Sequence, residues 1–129
     1  NLSQEGNAWV DNDAKVYDNA RVYDNARVYD YACVSDNACV SDNAHVYGNA
    51  CISDNAHVYG NTCVYDDVCV FDNARVYGKA WVFNKAKIYG DACVYDNAGV
   101  FGNACIYGNA KVFGNPCVYK NAQIYKNHK

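Results

Sequence analysis

Cysteine and histidine are the residues of this chain best suited to chemistry, and they follow a fixed spacing. All eight cysteines occupy one place in a six-residue pattern, between a small residue and Val or Ile: Cys33, Cys39, Cys51, Cys63, Cys69, Cys93, Cys105 and Cys117. A disulfide framework in a small secreted domain rarely obeys a repeat, so we interpret the cysteines as free thiols. Thiols and imidazoles are also metal ligands, which makes the stacking of the chain decisive for any metal site.

The six-residue pattern organises nearly the whole chain. It reads Asn-Ala-x-Val-Tyr-Asp or Asn-Ala-x-Val-Tyr-Gly and runs twenty times without insertion over residues 7–126. Val or Ile fills the aliphatic position every time, and Ala is replaced only by Thr62, Val68 and Pro116. The alternation predicts a four-residue strand with Ala and Val inside. Asp or Gly followed by Asn predicts a corner, because Gly and Asn tolerate positive φ.

These repeats resemble the hexapeptide-repeat superfamily, and within it the bacterial YdcK-like proteins rich in Asn-Ala-x-Val-Tyr-Gly units. The resemblance covers residues 7–126. It implies an all-β fold, a single-stranded left-handed parallel β-helix that forms a triangular solenoid. Three hexapeptides make one coil, and twenty hexapeptides make between six and seven coils. Residues 1–6 are predicted to form an N-terminal lead-in, and residues 127–129 a C-terminal tail.

If eighteen residues make one coil, residues eighteen apart stack about 4.8 Å from each other. The interior then consists of stacked Val, Ile and Ala, and the corner Asn side chains form amide ladders. Pro116 is expected to remove one ladder donor near an end. Cys39 stacks with His57, and His45 with Cys63. Each pair supplies two ligands that point the same way, whereas structural zinc needs four that converge, so we predict no metal site and no cofactor.

Four aspartates form a column at one corner of the predicted triangle: Asp18, Asp36, Asp54 and Asp72. Like charges about 5 Å apart repel. The column therefore raises its own pKa values, binds a hard cation such as calcium, or faces something basic. The alternative is that each Asp caps its own turn while water screens the repulsion.

Outward aromatic residues are the most unusual feature of the predicted surface. One face carries an unbroken column of six rings, with Trp81 beside it: Tyr29, Tyr47, Tyr65, Phe83, Phe101 and Tyr119. A contiguous apolar strip of this length exceeds what soluble monomers usually show. We therefore predict an interface here, either with further copies of the chain or with another protein. The alternative is that β-propensity alone selects Tyr at this position, since every face has some.

Charge divides the chain into an acidic and a basic half. Residues 1–72 carry twelve acids and three bases, a net charge of −9, and residues 73–129 carry eight bases and two acids, a net charge of +6. Position in a solenoid sequence is position along its axis. The expected molecule thus has an acidic end and a basic end, and copies would attract head to tail as a homo-oligomer or filament.

The family resemblance also raises the question of catalysis. Superfamily acyltransferases are trimers, and the resemblance implies a catalytic His near an inserted loop, with pantetheine between neighbouring prisms. This chain has no inserted loop in residues 7–126, and His45 and His57 fall on different predicted faces. None of the family's catalytic residues can be carried over, so we expect a non-catalytic, structural or protein-binding solenoid that self-associates. An acyltransferase-like trimer subunit is the alternative.

A second alternative is an acidic inhibitor that mimics nucleic acid, suggested by the Asp-rich coils between Asp11 and Asp72. Nucleic-acid binding itself is disfavoured, because no basic groove alternates with aromatic residues. No apolar run reaches 18 residues, so no membrane span is expected. The chain lacks Met, including at position 1, and we expect it to be processed, trimmed or part of something longer. Free thiols favour the cytoplasm, and a fibrous protein would also suit the cell surface or the extracellular space.

Overall fold

The computed structural model describes residues 8–11 and 13–126. Within them the chain forms twenty strands of two residues each and no helix. The strands are β1 Trp9–Val10, β2 Lys15–Val16, β3 Arg21–Val22, β4 Arg27–Val28, β5 Cys33–Val34, β6 Cys39–Val40, β7 His45–Val46, β8 Cys51–Ile52, β9 His57–Val58, β10 Cys63–Val64, β11 Cys69–Val70, β12 Arg75–Val76, β13 Trp81–Val82, β14 Lys87–Ile88, β15 Cys93–Val94, β16 Gly99–Val100, β17 Cys105–Ile106, β18 Lys111–Val112, β19 Cys117–Val118 and β20 Gln123–Ile124.

Every third strand along the chain belongs to the same parallel sheet. Sheet 1 has the order β1-β4-β7-β10-β13-β16-β19, sheet 2 the order β2-β5-β8-β11-β14-β17-β20, and sheet 3 the order β3-β6-β9-β12-β15-β18. Paired residues lie eighteen apart, as in Trp9 with Arg27 and Val10 with Val28. Three sheets with this register make a triangular parallel solenoid, and twenty strands fill six coils and two thirds of a seventh. The predicted all-β solenoid is confirmed.

The backbone hydrogen bonds that flank the strand pairs run from each coil to the next. The variable residue of each hexapeptide donates its N–H to the Ala-position carbonyl of the next coil, and the residue after Val donates to the Val carbonyl there. In the first coil, Trp9 N donates to Ala26 O and Asp11 N to Val28 O, both at 2.9 Å. The strands have two residues each, fewer than the predicted four, but the hydrogen-bond ladder extends beyond their ends.

The interior is a column of small and β-branched side chains. Val22, Val58 and Ile106 have no exposed surface, and the same holds for nearly all Ala, Val and Ile of the central coils. Burial of about 25 cal/mol per Å² of apolar surface is the main stabilising term. Thr62, in the Ala column, is also fully buried, and its hydroxyl has no hydrogen-bond partner among the described residues.

The corners are tight turns whose left-handed residue is the Asp or Gly before the predicted Asn. Asp36 has φ 57°, Asp54 57° and Gly60 76°, whereas no Asn that follows them has positive φ. The Ala-position N–H closes the turn onto the aromatic-position carbonyl of the same coil, as Ala20 N does to Tyr17 O at 3.3 Å. This corrects the expectation for Pro116: what proline removes at that position is a turn donor, not a ladder donor.

Amide ladders run along the corners, as predicted. Asn55 Nδ2 donates to Asn73 Oδ1 at 3.3 Å, and Asn73 Nδ2 donates to Asp91 Oδ1 at 3.2 Å. Similar bonds join Asn43 to Asn61 and Asn103 to Asn121. The predicted lead-in, residues 1–6, and the predicted tail, residues 127–129, lie outside the described residues.

Candidate interaction surfaces

The six-ring column lies on sheet 1 and is continuous. Successive centroids, from Tyr29 through Tyr47, Tyr65, Phe83 and Phe101 to Tyr119, are 4.7, 4.9, 5.2, 4.8 and 5.3 Å apart, with planes within 8° of parallel. The coil spacing is close to the preferred separation of stacked rings, so the repeat itself produces the stack. Each such pair contributes about 0.5–1.5 kcal/mol beyond area burial.

Stacking covers the faces of these rings and leaves their edges at the surface. Only Tyr119, at the C-terminal end, is exposed (47%), while Trp81 in the neighbouring column is 54% exposed. Burial, followed by the neighbouring phenols, thiol and carboxylate, raises the pKa of Tyr47 to about 12. The column is therefore an uncharged ridge of ring edges at neutral pH, and its role as an interface stays a prediction.

The aromatic columns of the other two sheets are interrupted by serine. On sheet 2 the rings of Phe71 and Tyr89 stack at 5.0 Å, but Ser35 and Ser53 replace the rings below them. On sheet 3 Ser41 lies below Tyr59. Ser35 and Ser41 are buried.

The aspartate column at the sheet 2 corner binds backbone. Asp36 Oδ2 accepts the N–H of Asp54 at 3.2 Å, Asp54 Oδ2 that of Asp72 at 3.1 Å, and Asp72 Oδ2 that of Gly90 at 3.0 Å. The same contact joins Asp30 to Gly48 at another corner. Each of these carboxylates thus caps the next coil, and the N–H dipoles offset part of the repulsion along the column, which begins at Asp18.

Comparison with known protein families finds a match to part of this chain. The family model described as YdcK Beta solenoid repeat matches residues 14–30 and 20–36. The same hexapeptide and the same three-sheet register extend over the described coils beyond that segment. The chain is a β-solenoid, and its residues 14–36 are similar to the YdcK repeat. No curated protein and no solved structure matches it.

The thiols and imidazoles of this solenoid stack as the eighteen-residue spacing predicted. Cys39 pairs with His57 on sheet 3, and His45 with Cys63 on sheet 1. Burial and Arg27 lower the pKa of His45, and burial and Arg75 lower that of His57. All eight cysteines are free. Within the described residues, no three His, Cys, Asp or Glu side chains lie close enough together to hold a metal ion.

The two histidines of the solenoid lie on different sheets, and the third, His128, falls outside the described residues. The rings of His45 and Tyr29 are perpendicular, with centroids 6.4 Å apart, a T-shaped contact. Among the described residues there is no helix long and apolar enough to cross a membrane.

Proposed function

We propose that the protein is a non-catalytic structural solenoid whose copies associate head to tail into rods. The observation that carries the proposal is the direction of the backbone hydrogen bonds that flank the strand pairs. Because these N–H groups donate to the next coil, those of Cys117, Tyr119 and Gln123 have no acceptor among the described residues. At the other end, the carbonyls of Ala14 and Val16 have no donor there.

The two ends are thus complementary in a parallel arrangement. A second copy placed head to tail continues the parallel ladder and brings these donors to these acceptors, whereas two C-terminal ends could not continue it. Such a contact is heterologous, and unless its rotation closes a ring it propagates as an open rod. An unpaired strand edge is a template for further pairing.

Apolar surface and charge at the ends support the same contact. The partly exposed members of the core are Val10 and Ala14 at one end and Ala122 and Ile124 at the other. A concavity of about 720 Å³ at the N-terminal end is lined in part by Val10, Ala14 and Val16. Of the described residues up to 72, eleven are acidic and three basic, and seven of those from 73 on are basic and two acidic.

Charge reversal at one end tests the proposal. Lys120→Glu combined with Lys126→Glu should prevent association at low salt, because an acidic end would then meet an acidic end. The matched control is Lys85→Glu with Lys87→Glu, which makes the same charge change away from the ends and should still associate. Light scattering measures the molar mass of both double variants. Equal association of the two double variants would overturn the electrostatic head-to-tail contact.

A lateral contact between rods along the six-ring column is part of the proposal. Trp81→Ser and Tyr119→Ser remove two exposed aromatic side chains of sheet 1, one beside the six-ring column and one at its C-terminal end, without touching the core. We expect single rods in place of bundles by electron microscopy. Bundles that persist in the double variant would contradict the lateral contact and leave the end contact standing.

A further inference from the structure

Three cysteines on sheet 2 form the only stack of thiols in the described coils. Cys33 pairs with Cys51, and Cys51 with Cys69, on successive strands. The other five cysteines pair with residues of other types in their sheets. Cys51, the middle member, is exposed.

The thiols of the lower pair share one orientation. Cys33 Sγ donates to the carbonyl of Tyr31 at 3.8 Å, and Cys51 Sγ to that of Asn49 at 3.9 Å, each two residues back along the chain. Side chains with the same orientation on paired parallel strands are separated by one strand spacing, about 4.8 Å. Two metal–thiolate bonds end to end span about 4.6 Å, taking the roughly 2.3 Å zinc–sulfur bond as a guide.

We propose that this thiol stack binds a monovalent soft metal ion, Cu(I) or Ag(I), in linear two-coordination between adjacent cysteine sulfurs. Parallel side chains cannot converge on a tetrahedral ion, but a linear ion needs only two sulfurs facing each other across one coil. Soft thiolates select Cu(I) among the biological metals. This site is separate from the ends that join copies in the proposed function.

Charge around the stack favours such a complex. Two thiols each lose a proton and one monovalent ion enters, so the bis-thiolate complex carries a charge of −1. Lys15 pairs with Cys33 below the stack, and Lys87 pairs with Cys69 above it. Both ammonium groups are placed to offset the anionic complex.

The Cys–His pairs lack this match between charges. A complex of one thiolate, one neutral imidazole and a monovalent ion is uncharged, so it gains little from neighbouring cations. Arg21 pairs with Cys39, and Arg27 with His45, so the guanidiniums beside these pairs have no anionic complex to offset. The thiol stack is the better site.

Two positions beside the stack carry no aromatic ring. Ser35 and Ser53 stand where an aromatic ring follows the variable residue in most other hexapeptides, two residues after Cys33 and Cys51. Burial, with the neighbouring thiols Cys33 and Cys69, raises the pKa of Cys51. Metal binding must displace those protons, so the apparent affinity should rise with pH.

The site is tested by titrating the unchanged protein with Ag(I) against a competing thiol ligand. The titration is anaerobic and contains no other reducing agent. Native mass spectrometry gives the stoichiometry, and X-ray absorption should show two sulfur neighbours for the first ion. Cys51→Ser should lower the affinity for the first ion by more than about a hundredfold, which exceeds the usual effect of losing an outer-sphere partner. Cys33→Ser and Cys69→Ser should each keep tight binding, because either leaves one adjacent pair.

Cys117→Ser is the matched control, since Cys117 pairs only with Gly99. It should bind the first ion like the unchanged protein. Circular dichroism should show all four variants folded, because each change is at an outward position. A first ion that binds Cys51→Ser as tightly as the unchanged protein would overturn the proposal and direct attention to the Cys–His pairs. Tetrahedral or three-sulfur coordination in the absorption spectrum would overturn it as well.

Discussion

The Asp54 carboxylate accepts a 3.1 Å hydrogen bond from the backbone N–H of Asp72, one coil further along. Asp54 itself has φ 57°, in the left-handed region. One residue therefore provides both the corner conformation and the link to the next corner. At the corners that carry Gly, such as Gly48, the chain has the conformation without the link.

These two roles can be separated by substitution at Asp54. Asp54→Ala should cost about 2–3 kcal/mol, from a left-handed Ala and a lost hydrogen bond. Asp54→Gly should cost about 1 kcal/mol, since only the hydrogen bond is lost. Asp54→Asn keeps an acceptor and tolerates positive φ, so it serves as the control. Urea denaturation measures all three, and equal costs for Ala and Gly would refute the conformational part.

The inward and outward register predicts opposite results at adjacent positions. Val58 is fully buried, so Val58→Asp should abolish folding by burying an unpaired carboxylate. Tyr59 stacks on Tyr77 at 4.9 Å, and Tyr59→Ser should cost about 1 kcal/mol for that single contact. Circular dichroism and urea melts compare the two. The assigned register is wrong if both changes cost the same.

At position 62 we expect Val to stabilise the protein more than the natural Thr does. Its buried hydroxyl lacks a partner, whereas Val68 occupies the equivalent position on another sheet with no polar atom. Thr62→Val keeps the shape and should raise the free energy of unfolding by about 1–3 kcal/mol, the desolvation cost of an unsatisfied group. A lower denaturation midpoint for Thr62→Val would show that the hydroxyl has a partner after all. Val68→Thr is the reciprocal control and should destabilise.

The lowered pKa values of His45 and His57 predict a pH dependence of stability. The unfolded chain binds protons near pH 6.5, while the folded chain resists them, so the free energy of unfolding falls as pH drops through that value. Burial is the main cause, with Arg27 and Arg75 adding repulsion. Replacing both histidines with Gln should flatten the profile between pH 7 and 5. An unchanged slope in the double variant would assign the effect to other groups.

The repeat period made most of the fold predictable, because a period of six with three faces determines which residues stack. The pairs of Cys39 with His57 and His45 with Cys63, the Asn ladders and the six-ring column all follow from counting eighteen residues. Torsion angles do not follow from a period. That is why the sequence predicted a corner from Gly and Asn but did not show that the residue before the Asn, often an Asp, is the left-handed one.

The same limit explains what was missed at the candidate sites. The sequence predicted repulsion along the aspartate column. It did not show that these carboxylates cap backbone N–H groups, because that contact depends on a side-chain rotamer. The serine positions were predicted to face outward, yet Ser35 and Ser41 are buried. All three serines of the repeat follow a Cys by two residues, at 35, 41 and 53, but Ser53 is not buried, so this spacing does not predict burial.

Static light scattering of the unchanged protein over a range of concentrations, at low and at high salt, tests the head-to-tail account most directly. The Debye length falls from about 30 Å at 0.01 M to about 3 Å at 1 M salt, so the attraction between ends should be lost. We predict a molar mass that grows with concentration at low salt and approaches the 14.3 kDa of one chain at 1 M. A mass of 14.3 kDa at every concentration at low salt, or a fixed trimer at both, would contradict the account.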